Sequence, residues 1–167
     1  MDSAPPAPTT GLGPAPFRFA LPGGPLRGPA FSLPFKLLAL AIVLGCSAWL
    51  IELWRTGRVA SEASSGLGWI LVTLAMMAYM VWHILRSRTT LTESELHQSW
   101  VWDKRMALAD LAYVKLIRIP GLDWLIAPRL YARTLLGKFA VFYAADRELI
   151  AGFVRLQQEL QIFRQSR

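Results

Sequence analysis

The chain has 167 residues, of which 54% are hydrophobic and 17% are charged, with a net charge of +7. Its mean hydropathy of +0.36 is too high for an ordinary water-soluble domain, in which about 45–50% of residues are apolar. The basic residues are spread along the chain without a nucleic-acid-reading motif, and the single cysteine excludes an internal disulfide, so neither a nucleic-acid binder nor a disulfide-stapled domain is expected.

Residues 1–30 are rich in Pro and Gly, and the first 34 residues contain most of the chain's 11 prolines. This composition shows little hydrophobic periodicity and cannot by itself build a core. We therefore predict that residues 1–30 form a disordered, partly polyproline-like tail.

Two long apolar segments follow, over residues 31–54 and 66–86. Each has about the ~20 residues that a helix needs to cross ~30 Å of hydrocarbon. Lys36 at one end of the first segment, and Trp49 and Trp54 at the other, suit the two membrane interfaces. The short polar link makes the helices antiparallel neighbours. The sequence thus predicts a two-helix transmembrane hairpin over residues 31–86.

Basic residues indicate the orientation of this hairpin. Five basic residues flank the hairpin on the side of the chain ends, and two lie in the link between its helices. The five are Arg18, Arg27, Lys36, Arg86 and Arg88, and the two are Arg55 and Arg58. Because short cytoplasmic segments carry an excess of Lys and Arg, both termini are expected to be cytoplasmic, in a bacterial inner membrane.

A different processing route is suggested by the sequence Val43-Leu44-Gly45-Cys46, which loosely resembles a lipoprotein cleavage site. The apolar run continues past the cysteine, whereas the apolar core of a signal peptide normally stops near its cleavage site. Packing of a small residue between helices is the favoured interpretation of Cys46.

Residues 87–167 are predicted to form a soluble α+β domain. Alternating apolar residues indicate strands, and a helical period after the N-cap candidate Asp146 indicates an amphipathic helix that ends near Phe163. The predicted strands lie within residues 96–102, 106–108, 113–119 and 134–143. In the first of them, Leu96 and Gln98 share one face.

Three features of this region resemble the bacterial pleckstrin-homology-like domains of small membrane proteins. They are Leu91-Thr-x-x-x-Leu96, the corner from Leu108 to Val114, and a closing strand followed by an amphipathic helix. Such domains often follow paired transmembrane helices. The resemblance implies a curved antiparallel sheet capped by a C-terminal helix, with a role in binding or assembly and not in catalysis. A full pleckstrin fold has seven strands, and about five are predicted here.

Motifs for catalysis or for metal binding are not found in the sequence. His83 and His97 have no carboxylate or cysteine at ligand spacing, and there is no glycine-rich phosphate loop. We therefore predict a protein that is not an enzyme and that has no metal and no cofactor. His83, near the end of the second span, is the one conceivable cofactor contact, and Glu52 is the one carboxylate inside a span.

The most unusual segment is residues 121–133, which places Trp124, Leu125 and Ile126 in a predicted loop. Exposed apolar residues in a loop indicate a partner or a lipid surface. The basic residues nearby in sequence would assist either contact: Lys115, Arg118, Arg129, Arg133 and Lys138. The alternative is that the three apolar residues form a short core strand beside a solvated basic face.

Together these features predict an accessory or assembly subunit of a membrane protein complex, or a homo-oligomer, acting through the hairpin and the soluble domain. An anionic-lipid sensor or adaptor is the first alternative. A subunit of a redox or photosynthetic membrane complex, contributing His83 to a cofactor site, is a weaker one.

Overall fold

The protein is described by a computed structural model covering residues 16–57 and 64–166. Two long helices extend from a domain of short strands, and a third helix packs against that domain. The elements in chain order are β1 (Leu26–Pro29), α1 (Leu33–Arg55), α2 (Ser64–Arg86), β2 (Arg88–Leu91), β3 (Glu95–Ser99), β4 (Lys104–Ala107), β5 (Leu111–Ile117), β6 (Arg129–Thr134), β7 (Phe139–Tyr143) and α3 (Arg147–Gln165).

Helices α1 and α2 each have 23 residues and are long and apolar enough to span a membrane. Ser32 caps α1, since its hydroxyl accepts a hydrogen bond from the Phe35 amide at 3.4 Å. The two helices are antiparallel, because Lys36 in the first turn of α1 donates to the Leu85 carbonyl near the end of α2, at 3.2 Å. The predicted pair of apolar helices is confirmed.

The prediction of a disordered tail is wrong for residues 16–30. Strand β1 pairs antiparallel with β2, with Leu26 opposite Leu91, and the side chains of Phe17, Phe19 and Leu21 are buried in the core. Pro29 is tolerated because β1 is an edge strand, where a missing amide donor breaks no ladder. Residues 1–15 of the predicted tail lie outside the described residues.

The strands form two antiparallel sheets, ordered β1-β2-β3-β4 and β5-β6-β7. Strands β3, β4, β5 and β7 and helix α3 overlap the predicted elements, whereas β1, β2 and β6 were not predicted. Strand β6 lies in the segment predicted to be a loop. Its residues Leu130, Ala132 and Thr134 alternate inward, so its period of two is real but short.

Side chains join the two sheets along the free edge of β7. Thr89 donates to the Tyr143 carbonyl at 2.6 Å, and the Gln98 side chain accepts from the Tyr143 amide at 3.1 Å. Lys104 donates to the Val141 carbonyl at 3.3 Å. These groups replace a neighbouring strand, so the backbone at this edge remains hydrogen-bonded although no strand pairs with it.

Helix α3 covers the other free edge, that of β5. Gln157 accepts from the Leu116 amide at 2.7 Å, and Arg164 donates to the Leu111 carbonyl at 2.5 Å. Asp146 caps the helix through the amides of Glu148 and Leu149. The apolar face of α3 completes the core between the sheets, together with residues from both of them: Leu91, Leu96, Leu111, Val114, Leu130, Phe142, Leu149, Phe153 and Leu156.

Because β1 pairs with β2 across the start and end of the hairpin, we expect the domain to fold without the hairpin. The Ala30 amide donates to the Ser87 carbonyl at 3.2 Å, which is the spacing of residues that flank a tight turn. Replacing residues 31–86 by Asn-Gly is therefore expected to give a folded domain that unfolds cooperatively, as measured by circular dichroism during heating.

The matched chain for this experiment begins at Ser87 and so lacks β1, Phe17 and Phe19. Each buried Phe contributes about 3–5 kcal/mol, against a total of about 5–15 kcal/mol for a typical domain. This shorter chain is expected to be largely unfolded. Equal melting temperatures for the two chains would show that the N-terminal segment is not part of the domain.

The hydrogen bond from Thr89 to Tyr143 can be tested by Thr89→Val, which keeps the shape and removes the hydroxyl. Leaving this partly buried carbonyl without its donor is expected to destabilise the domain by about 1–3 kcal/mol in urea unfolding. Thr90→Val, on the opposite face of the same strand, is the control and is expected to change stability by less than about 0.5 kcal/mol. An equal effect of the two substitutions would contradict this role of Thr89.

Candidate functional site

The hairpin joins the domain at one end, which we call the hairpin end, and several contacts hold it there. The Ser32 hydroxyl donates to the Leu125 carbonyl at 2.6 Å, which ties the start of α1 to the loop between β5 and β6. The Ser87 hydroxyl donates to the Ser99 carbonyl at 2.6 Å, which ties the chain after α2 to the end of β3. Both helix ends are thus fixed to the sheets.

An aromatic and cationic cluster lies at the same junction. The Phe31 ring centroid is 5.3 Å from that of Tyr143 and 6.1 Å from that of Trp100. The Lys104 ammonium lies 5.1 Å from the Trp100 centroid, and the Arg129 guanidinium lies 5.7 Å from the Tyr143 centroid. Burial lowers the pKa of Lys104. This cluster packs the start of α1 against the domain.

The loop between β5 and β6 carries the predicted contact residues Trp124, Leu125 and Ile126, which differ in solvent exposure. Trp124 is 62% exposed, whereas Leu125 and Ile126 are half-buried. The amides of Leu125 and Ile126 bond to the Leu122 carbonyl at 3.0 and 2.7 Å, so this segment is a turn and not a core strand. Trp124 and the exposed Leu122 remain available for contact.

The basic residues that were predicted to assist this loop do not form one patch. Arg118 and Arg129 lie at the hairpin end, beside the loop, and Lys115 is exposed in the middle of β5. Arg133 pairs with Phe139 near the opposite end of the domain, and Lys138 lies in the turn between β6 and β7. Strands β5 and β6 therefore separate residues that are close in sequence.

The outward-facing side of the β5-β6-β7 sheet, which we call the outer face, is a surface that the sequence did not predict. Its side chains form three cross-strand rows of three residues, while those of the other side enter the core. The rows are Tyr113, Arg133 and Phe139; Lys115, Tyr131 and Val141; and Ile117, Arg129 and Tyr143. This face combines aromatic, aliphatic and cationic groups and contains no carboxylate.

Side chains of the outer face pack against one another across neighbouring strands. The Tyr131 and Phe139 rings are stacked with centroids 6.1 Å apart, although Phe139 is 65% exposed. The face was missed because β6 was predicted to be a loop. The inward alternation of Leu130, Ala132 and Thr134 is the signal that identifies the strand.

The remaining candidate residues stand apart from one another. The His83 ring, on α2, contacts the Tyr79 ring at a centroid distance of 4.5 Å. His97 Nε2 lies 3.4 Å from an Asp103 oxygen, and Glu52 is exposed on the last turn of α1. Within residues 16–57 and 64–166, no three or more His, Cys, Asp or Glu side chains are grouped so that they could hold a metal ion.

Grooves occur on both parts of the molecule. Two apolar grooves of about 280 and 420 Å³ lie along the hairpin, the first beside Cys46 and the second beside Met76 and Met80. A groove of about 620 Å³ on the domain is bordered by Arg118, Arg147 and Arg155. This last groove brings three cations together.

Comparisons of the chain with protein-family models, with curated proteins and with solved structures found no match. The function of the protein is therefore inferred from the hairpin, the outer face and the loops at the hairpin end.

Proposed function

We propose that the protein is a non-enzymatic accessory or assembly subunit of a membrane protein complex in the bacterial inner membrane. The hairpin anchors it, and the outer face of a pleckstrin-like domain binds the partner protein. The observation that carries this proposal is the outer face itself, on which aromatic and cationic side chains lie in rows across three strands. Tyr131 and Tyr143 are half-buried, and five of these side chains are exposed: Tyr113, Lys115, Arg129, Arg133 and Phe139.

Membrane anchoring is supported by the length and exposure of α1 and α2. At ~1.5 Å per residue, each helix is about 34 Å long, which matches a hydrocarbon core of ~30 Å. Only 11% and 6% of their most apolar windows are buried, whereas the core helix of a soluble protein is mostly buried. A bilayer would cover the exposed Leu, Trp and Met side chains that remain.

The position of β1 argues against removal of α1 as a signal sequence or cleavage before Cys46. Either event would detach residues 16–30 from the part of the chain that follows. The domain would then lose β1 and the buried side chains of Phe17, Phe19 and Leu21. An uncleaved hairpin keeps both halves of the domain in one chain, with its N- and C-termini on the cytoplasmic side by the distribution of basic residues.

The likeness to a pleckstrin-like domain is supported by the arrangement of the strands. The described residues contain seven strands in sheets of four and three, with α3 packed against both β5 and β1. In this interpretation the transmembrane hairpin is an insertion between the first two strands. The role that the resemblance implies is binding or assembly, in agreement with the proposed function.

The chemistry of the outer face suits a protein partner. Tyr, Phe and Arg are enriched at protein interfaces, and Tyr and Arg are prominent among the residues that contribute most to binding. Because the Tyr131 and Phe139 rings are already stacked, little side-chain freedom is lost when a partner binds. Lys115, Arg129 and Arg133 are unopposed by any carboxylate on this face, which favours a partner surface with acidic groups.

The proposed contact predicts that Tyr113→Thr with Phe139→Thr weakens partner binding without unfolding the domain. Both side chains are exposed and flank Arg133 in one row, and Thr is well suited to a strand. Loss of an interface anchor of about 2 kcal/mol corresponds to about a 30-fold loss in affinity. The measurement is quantitative co-purification of tagged full-length protein from mild detergent, which should recover a stoichiometric partner only with the wild type.

The matched control is Ile162→Ala, which removes a similarly exposed apolar side chain from α3. It is expected to leave both partner recovery and melting temperature unchanged. Elution of the wild type as a lone monomer would contradict the accessory-subunit proposal. Equal recovery with the double variant would exclude the outer face as the contact, and recovery of a second copy of the chain would identify a homo-oligomer.

A further inference from the structure

Two strongly exposed tryptophans lie at the hairpin end, on separate turns. Trp102, in the turn between β3 and β4, is 79% exposed, and Trp124, in the loop between β5 and β6, is 62% exposed. Neither belongs to the outer face. Such large exposed aromatic side chains at one end of a domain indicate a surface that is covered in the cell.

The helix ends fix where these tryptophans lie. Trp124 precedes Leu125, whose carbonyl is bonded to Ser32 at the start of α1. Trp102 lies two residues beyond Trp100, whose ring packs against that of Phe31, just before α1. Both turns therefore lie beside the point where α1 begins and α2 ends.

This position is the level of the lipid headgroups if α1 and α2 span a bilayer. Helices about 34 Å long extend slightly beyond a hydrocarbon core of ~30 Å, so their ends lie in the polar interface. Trp is enriched in that interface because its ring is apolar and its N–H is polar. The turns bearing Trp102 and Trp124 therefore reach the interface without any movement of the domain.

Cations lie close to the same level. Arg118 begins the loop that carries Trp124, and Arg147 begins α3 directly after Asp146. Asp146 packs against Gly28, where an added Cβ would lie 2.6 Å from the Asp146 Cβ, and Gly28 is in the strand that leads into the hairpin. Arg118 and Arg147 border one groove, and neither is in an ion pair among the described residues.

We propose that Trp102, Leu122, Trp124, Arg118 and Arg147 form a membrane-contact surface for anionic phospholipid. The apolar side chains enter the interface, and the two guanidinium groups bind headgroup phosphates, for which their fork of N–H donors is suited. This inference rests on the proposed membrane anchoring but not on the proposed protein partner. The membrane-contact surface fixes the orientation of the domain on the bilayer, with the row of Tyr113, Arg133 and Phe139 farthest from the lipid.

The test is a spin-label depth measurement on full-length protein reconstituted in vesicles. One set of vesicles is phosphatidylcholine alone, and the other is equal parts phosphatidylcholine and phosphatidylglycerol. Three single-cysteine proteins carry the nitroxide, at native Cys46, at Leu122→Cys or at Leu136→Cys, the last two with Cys46→Ser. Collision with oxygen reports a lipid environment, and collision with a water-soluble nickel chelate reports water.

The label at position 122 is expected to show an oxygen-to-nickel collision ratio several-fold above that of the label at position 136. Leu136 is 94% exposed in the turn between β6 and β7, far from the hairpin end, and serves as the aqueous control. The ratio at position 122 should rise when phosphatidylglycerol is present. Adding Arg118→Gln and Arg147→Gln should abolish that rise and leave the label at position 136 unchanged.

Each other outcome overturns a defined part of the proposal. An aqueous label at position 122, with a lipid-exposed label at Cys46, would overturn the membrane-contact surface while leaving the anchoring intact. An aqueous label at Cys46 would overturn the anchoring and this inference with it. A ratio at position 122 that does not depend on phosphatidylglycerol, in the wild type or the double Arg variant, would exclude headgroup binding by the two arginines.

Discussion

Antiparallel pairing of β1 with β2 joins the segment before the hairpin to the domain that follows it. These strands lie on either side of the hairpin in sequence but are neighbours in one sheet, with Pro29 opposite Arg88. The domain thereby holds the start of α1 beside the end of α2. Because β2 begins two residues after α2 ends, the hairpin is not joined to the domain by a flexible linker at this point.

Because both helix ends are bonded to the domain, the two proposed surfaces have fixed positions relative to the hairpin and to each other. The turns with Trp102 and Trp124 lie at the hairpin end, whereas the strands of the outer face run from that end toward the Thr134–Lys138 turn. Edge groups that a partner strand would otherwise seek are already bonded to Gln98, Thr89 and Gln157. The proposed recognition by the outer face would therefore use side chains and not the addition of a strand.

The outcome for individual elements follows from how local their signals are. Helix α3 was predicted within a few residues, because Asp146 is a cap and the apolar side chains recur at a helical period. The four-residue strand β1 shows almost no period, and its Pro and Gly suggested disorder. The contact residues were predicted as one patch because they are close in sequence. In the structure, β6 carries Arg133 away from Trp124, and Lys138 lies in the turn that follows β6.

The two apolar helices, the strands with clear alternation and the C-terminal amphipathic helix could be predicted from local patterns, because each pattern involves residues close together in the chain. The place of Phe17 and Phe19 in the core, and the row formed by Tyr113, Arg133 and Phe139, could be seen only in the folded chain. Strand pairing is non-local, so a short strand acquires its register and its exposed face from partners elsewhere in the chain. For β1, that partner is β2, which follows both helices in the sequence.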